Sequence, residues 1–450
     1  MANFSLNRNL VRDILHIALP TIAGLSSQMI VSLVNTGMVG RLEHAEVQLA
    51  AMGLAFLGSW AITSLFSSLS TGTHVLIARR QGEGEAVEVG KVLNNSLVVC
   101  LVLGACFGFL GYLFSYNIID FFSKNTDVTR AGADYMKYQF IGLPFFLLIV
   151  SYRGFFYGIG HAKIFMYSAL IINLFNILFN YFFIFGAFGF PRMQLAGAGL
   201  GSSISMFLGW LFFLFVTFAK GYRKQYKYYS HFQLSKEIIG QIVRISIPVS
   251  LQNILILLGF LVFVAITGII GTMAQAASQV VISALFISLM PCFGFGIAAQ
   301  TLVGQSLGKG DVRLAQQYGY ETAKLGTLFT IVVGIVFVFM PEMILTLITT
   351  NQEVITAARP VLQVAGVAQV FYASGIIVAN ALQAAGATVY VMFVEVITHW
   401  IIFLPLSYIF GVTLAGGLWG AWLALPIYII AYTVMNFMKF HSSSWSRIKL

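Results

Sequence analysis

Charge is scarce in this sequence: 9% of its 450 residues are Asp, Glu, Lys or Arg, whereas 59% are hydrophobic. An ordinary soluble domain carries roughly 25% charged residues, so a water-covered surface of this size is excluded. Cysteine is nearly absent as well. Cys100, Cys106 and Cys292 all lie inside apolar runs, where they act as small hydrophobes and form neither a disulfide framework nor a metal cluster. The seven histidines contain no H-E-x-x-H or comparable spacing, which argues against a metalloenzyme. No G-x-x-x-x-G-K-[ST] loop occurs, so the glycine-rich turns are expected to serve the backbone and not to cradle phosphate. Nothing therefore implies a cofactor or a metal.

What the sequence does have is apolar length. A mean hydropathy of +0.88 with repeated apolar runs long enough to cross a bilayer predicts an all-α integral membrane fold. Twelve transmembrane helices are expected, at 14–39, 48–78, 92–116, 135–158, 164–188, 195–218, 241–269, 277–303, 318–340, 358–382, 388–411 and 416–438. The first run follows Arg8 and Arg12 like a signal peptide. It continues past Pro20 to Gly40 without an A-x-A cleavage pattern, so it is expected to remain as a span. The net charge of +10 comes from basic residues between spans, which favours membrane orientation over a nucleic-acid partner. With the N-terminus in the cytoplasm, 18 Lys and Arg fall on the cytoplasmic side and 6 on the other, Arg153 lying within a span. Both termini are thus expected to be cytoplasmic.

The most polar break, 220–237, divides the spans into six and six. It predicts an N-terminal six-helix lobe over 1–219, a basic cytoplasmic linker over 220–237 and a C-terminal six-helix lobe over 238–450. A blander reading makes the linker a charged loop that only sets topology. The halves repeat each other: LHIALPTI at 15–22 matches VRISIPVS at 243–250, placing Pro20 opposite Pro248. Gly82 and Gly84 pair with Gly308 and Gly310, YGIGHAKI at 157–164 resembles LQAAGATV at 382–389, and LAGAGLG at 195–201 resembles LAGGLWG at 414–420. Six spans per copy make the repeats parallel, with a central cavity and alternating access by rocking of the lobes. Pro20 and Pro248 are the hinge candidates, static kinks being the alternative.

At SLVNTGMVGRL (32–42), the GxG turn after the second span, RGFFYGIGHAK (153–163) and TLVGQSLGKGD (301–311), the sequence resembles the multidrug and toxic compound extrusion (MATE) family, bacterial type. The likeness spans both halves. It implies a V-shaped pair of six-helix bundles in the cell inner membrane, acting as a monomer. Its activity would be export of organic, often cationic or amphiphilic, compounds in exchange for H+ or Na+. In the proton-coupled branch an aspartate stands where this chain has Asn35, and the fifth helix carries Asn followed four residues later by Asp, where this chain has Asn176 and Asn180. The sodium-linked branch places acids in the seventh and tenth helices, but LQNILILLGF (251–260) and VFYASGIIVAN (370–380) contain none.

An ionisable group inside a bilayer is costly and so points to function. One carboxylate lies well inside a predicted span, Glu395, with His399 four residues on and hence on the same helical face. The pair reads either as a proton relay or as a structural hydrogen-bonded couple. Asn35, Asn176, Asn180 and Gln279 complete the substrate- or ion-binding candidates. Arg153 is expected to cap carbonyls or reach the interface, and His74 has a weak claim. The reading is an efflux antiporter. A flippase for lipid-linked oligosaccharides or peptidoglycan precursors is the alternative, although Arg153 alone would suit its pyrophosphate. A membrane enzyme or scaffold would lack both a nucleophile pair and a use for doubled lobes.

Overall fold

The structure, a computed structural model, describes residues 7–219, 221–229 and 232–448; Lys220 and Lys449 of the basic tally lie outside them. All regular structure among these residues is helical. Eleven spans are long and apolar enough to cross a bilayer: α1 Arg8–Val39, α2 Ala45–Glu83, α3 Ala86–Phe122, α5 Ala162–Phe185, α6 Gln194–Phe218, α7 Lys236–Ile270, α8 Thr272–Gly308, α9 Val312–Phe339, α10 Gln352–Ala384, α11 Thr388–Thr413 and α12 Gly417–His441. The twelfth, α4, is a pair, Thr126–Ile141 and Leu143–Gly158, bent by 48° around Gly142 and Pro144. The chain is a multi-pass membrane protein with the twelve helices that hydropathy predicts.

Several helices outrun their apolar windows because side chains satisfy the terminal backbone N–H groups. Asn125 accepts from the N–H groups of Asp127 and Val128, and Asn351 does the same for Glu353 and Val354 at the equivalent place in the second copy. Gly84 (φ 78°) and Gly310 (φ 76°) turn the chain after α2 and α8 in the left-handed region, as Gly160 (φ 82°) and Gly386 (φ 90°) do after α4 and α10. These pairs keep one offset. They move the 157–164 match with 382–389 by one residue.

Compactness divides the described chain into two units, one of residues 23–250 and one joining the residues up to Ile22 with Leu251 onward. The expected lobes follow the linker and the repeat; the compact units change over inside α1 and α7. Each changeover lies two residues beyond a proline, Pro20 or Pro248. In the 23–250 unit α5 runs along α6, and the second part of α4 packs on α2 and α3. In the other unit α10 is central, flanked by α8, α9 and α12. Small residues permit this: a Cβ on Gly334 of α9 would stand 2.8 Å from the Gly366 carbonyl oxygen of α10. Without a hydrophobic drive between helices in lipid, such close backbone approach supplies the packing.

Candidate functional site

Three of the predicted residues meet in the 23–250 unit. Asn176 and Asn180 lie one turn apart on α5, and Asn35 reaches them from α1. Asn35 Nδ2 donates to Asn176 Oδ1 (2.8 Å), and Asn180 Nδ2 donates to Asn35 Oδ1 (2.9 Å) and Asn176 Oδ1 (3.0 Å). Asn176 Nδ2 in turn donates to Ser202 Oγ on α6 (3.0 Å). Asn180 Oδ1 rests against α6, where a Cβ on Gly201 would come within 2.2 Å of it, so glycine is required there. The cluster consists of amides and one hydroxyl, with Asn180 Oδ1 left without a hydrogen-bond partner. Amides donate and accept hydrogen bonds but do not exchange protons near neutral pH.

Glu395 and His399 form a second cluster, in the other unit. α11 starts as an α-helix over Thr388–Val396 and widens to a π-helix over Ile397–Phe403, the Leu404 N–H reaching back to the His399 carbonyl. Pro405 accounts for the change, because its ring crowds the preceding turn and it offers no N–H to the ladder. Both side chains are sealed, at 2% and 3% exposure, with His399 Nδ1 3.5 Å from Glu395 Oε1. The Tyr428 hydroxyl on α12 donates to the same carboxylate oxygen at 2.8 Å, and the Tyr372 hydroxyl of α10 lies 3.5 Å beyond it. Phe260, Phe403 and Tyr428 surround the imidazole, whose two nitrogens have no hydrogen-bond partner. Space for the ring comes from Gly259 on α7, where a Cβ would meet His399 Nε2 at 2.3 Å.

The pair sets one carboxylate against one imidazole on a single helical face, and the carboxylate also accepts from Tyr428.

Gln279 stands apart from both clusters: its side chain is exposed on α8. Pro20 and Pro248 are buried within their helices. Arg153 clasps the kink of α2 at Ser68, Nη2 donating to the Ser67 carbonyl (3.4 Å) and Nε to Ser70 Oγ (3.2 Å). His74 is buried beside the Tyr157 ring. Sequence reasoning missed Tyr428 and Tyr372, since neither spacing nor motif ties a helix-12 or helix-10 tyrosine to Glu395. It also missed Glu321, which is buried near the start of α9 but already paired with Lys324 at 2.7 Å. No group of three or more His, Cys, Asp or Glu suited to a metal occurs among the described residues.

The MatE family profile matches residues 20–182 and again 248–409, so each match starts at one of the two prolines. The probable multidrug resistance protein NorM of Thermotoga maritima is 26% identical, over 97% of this chain and 93% of its own length. The probable multidrug resistance protein YoeA of Bacillus subtilis is 22% identical, over 93% and 91%. Among solved structures, the fold resembles a MOP superfamily transporter from Pyrococcus furiosus described as having a binding pocket of reverse polarity (TM-score 0.89, 20% identity, 97% and 96% coverage). It also resembles the outward-facing conformation of a multidrug resistance MATE family transporter (TM-score 0.87, 20% identity, 96% of both chains). With twelve apolar helices, a doubled architecture and the family profile over most of both copies, the chain belongs to the MatE family, a family of membrane transporters and not of enzymes.

Proposed function

We propose that the protein is a secondary active antiporter that expels organic compounds, cationic or amphiphilic in character, in exchange for protons, with Glu395 and His399 as the proton-responsive pair. The observation that carries this reading is the contrast between the two clusters. Asn35, Asn176 and Asn180 hold one another and Ser202 through amide and hydroxyl groups that do not titrate near neutral pH, whereas Glu395 and His399 bring a carboxylate and an imidazole together in a sealed site. Coupling needs a group whose charge changes during the cycle, and among these candidates only the second cluster has one. The multidrug names of the curated relatives support the substrate class. Pro20 and Pro248 are the bending points in this reading, since each weakens its helix two residues before a compact unit changes over. The Lys and Arg tally supports both termini in the cytoplasm, and this reading takes the cell inner membrane as the location and the monomer as the working unit.

The experiment is transport of a fluorescent organic cation by purified protein in sealed vesicles, under an imposed pH gradient and then an imposed sodium gradient. Uptake driven by the pH gradient alone supports the proposal. Uptake driven by sodium at equal pH on both sides overturns proton coupling. Lipid scrambling without cation transport would establish the flippase alternative.

A further inference from the structure

The basic segment between α6 and α7 is built as a docked strap. Asn95 of α3, fully buried, donates through Nδ2 to the Gln233 carbonyl (3.0 Å) and accepts the Ser235 N–H on Oδ1 (2.9 Å). The Tyr228 hydroxyl donates to the Thr217 carbonyl (2.7 Å), and the Tyr229 and Tyr152 hydroxyls share a 2.7 Å hydrogen bond. Tyr226 and Tyr228 are buried, and α3 admits the strap so closely that a Cβ on Gly90 would fall 2.0 Å from the Tyr226 carbonyl oxygen. A loop that only set topology would need none of these fastenings.

The face turned outward differs in kind. From Lys220 to Lys236 the sequence has five Lys and Arg and not one Asp or Glu. Arg223, Lys224 and Lys227 are exposed, and Arg223 and Lys224 form no ion pair with an acid among the described residues. The Arg223 guanidinium lies over the ring of Phe218, the last residue of the α6 span, at 5.4 Å, and that ring stacks on Tyr229. Phe218, Phe232 and Leu234 are about half exposed, at 49%, 56% and 55%. The Arg223 cation and the exposed Phe218 ring therefore share one surface at the end of a membrane span, and Phe232 and Leu234 add exposed apolar side chains farther along the same strap.

We propose that this surface is a binding site for anionic phospholipids of the adjoining leaflet, the basic side chains taking the headgroup phosphate and Phe232 and Leu234 entering the acyl boundary. A planar guanidinium matches phosphate oxygens in a two-pronged geometry. Aromatic residues at a span end sit at headgroup level. The apolar members select a lipid over a soluble polyanion or an acidic protein, neither of which offers them cover. Because the strap is held by Asn95 and the tyrosines before any lipid arrives, little ordering entropy remains to oppose binding.

The test uses the full-length protein in detergent, titrated with phosphatidylglycerol or phosphatidylcholine and read by native mass spectrometry. Each surface cation attracts an anionic headgroup by about 1 kcal/mol, about fivefold in affinity, so the three together predict a preference for phosphatidylglycerol of roughly a hundredfold. R223Q/K224Q/K227Q should abolish that preference, and R223K, which keeps the charge but loses the two-pronged geometry, should weaken it without abolishing it. Asn95→Ala leaves every charge in place but releases the strap; it should weaken phosphatidylglycerol binding severalfold and speed tryptic cleavage at Arg223 and Lys224. Equal binding of the two lipids by the unaltered protein, or an undiminished preference in the triple variant, overturns the proposal. So does inositol hexakisphosphate displacing the lipid as well as phosphatidylglycerol itself does.

Discussion

Glu395→Gln separates titration from hydrogen bonding more cleanly than any other single change in this protein. The amide oxygen can still accept from Tyr428, now 2.8 Å from Glu395 Oε1, the same oxygen that lies 3.5 Å from His399 Nδ1. The one hydrogen bond to this carboxylate is therefore kept, and stability should change by no more than about 1 kcal/mol. What disappears is the proton. Export driven by a pH gradient should collapse while substrate binding to the purified variant, measured by calorimetry, survives. Glu395→Ala differs: the Tyr428 hydroxyl keeps only the 3.5 Å contact to Tyr372, and stranding it costs about 1–3 kcal/mol, visible as a lowered melting temperature. A structural role for Glu395 inverts the pattern, with the glutamine variant nearly silent and only the alanine variant impaired. Wild-type export by Glu395→Gln under a pH gradient refutes the relay.

Gly259→Ala tests the same site without touching either titratable residue. A Cβ placed 2.3 Å from His399 Nε2 must push the ring by roughly 1 Å, an overpacking cost of about 1–3 kcal/mol, and proton-driven export should fall with Glu395 intact. Unchanged export and melting would show that the ring has room to spare. Asn35→Asp installs a carboxylate between Asn176 and Asn180, which can each turn a donor toward it, and should make transport steeper in pH; an unaltered pH profile at normal expression counts against a cavity role for Asn35. Burial pushes the Tyr226 phenol up to about 12, with Tyr222 adding to the effect. A raised pKa means stability held below the ordinary value near 10 and lost as pH climbs toward 12, so tryptic cleavage at Arg223 should accelerate only in that window. Acceleration below pH 9 would show that the strap does not depend on neutral Tyr226. A cysteine at Gln233 should react with a permeant maleimide and resist an impermeant one applied from outside, as a cytoplasmic strap requires.

Hydropathy was enough to locate all twelve helices, because a bilayer imposes one length and one polarity on every span. The Glu395–His399 pair was equally accessible, since both residues share one helix and their separation reports their proximity. Contacts between helices were beyond that logic. Tyr428 lies 33 positions from Glu395, and nothing in the spacing of either marks the other. The meeting of Asn35 with Asn176 spans 141 positions; family likeness suggested both residues, but their hydrogen bond depends on helix rotation, which period alone does not set. The π turn at Ile397–Phe403 also escaped notice, because Pro405 in a helical run signals a disturbance and not its form. Gln279, a polar residue in an apolar run, is exposed and joins neither cluster, which its type and position alone could not settle.

The changeovers inside α1 and α7 bear on how a duplicated gene can become one machine. Were each copy to fold into its own unit, either half could be expressed alone, and a cut at the strap would be harmless. Instead each compact unit borrows the opening segment of the other copy, residues up to Ile22 on one side and the stretch ending at Ser250 on the other. Neither half-gene encodes a whole unit. Fragments divided within the strap should therefore be degraded when made singly and recover only on co-expression.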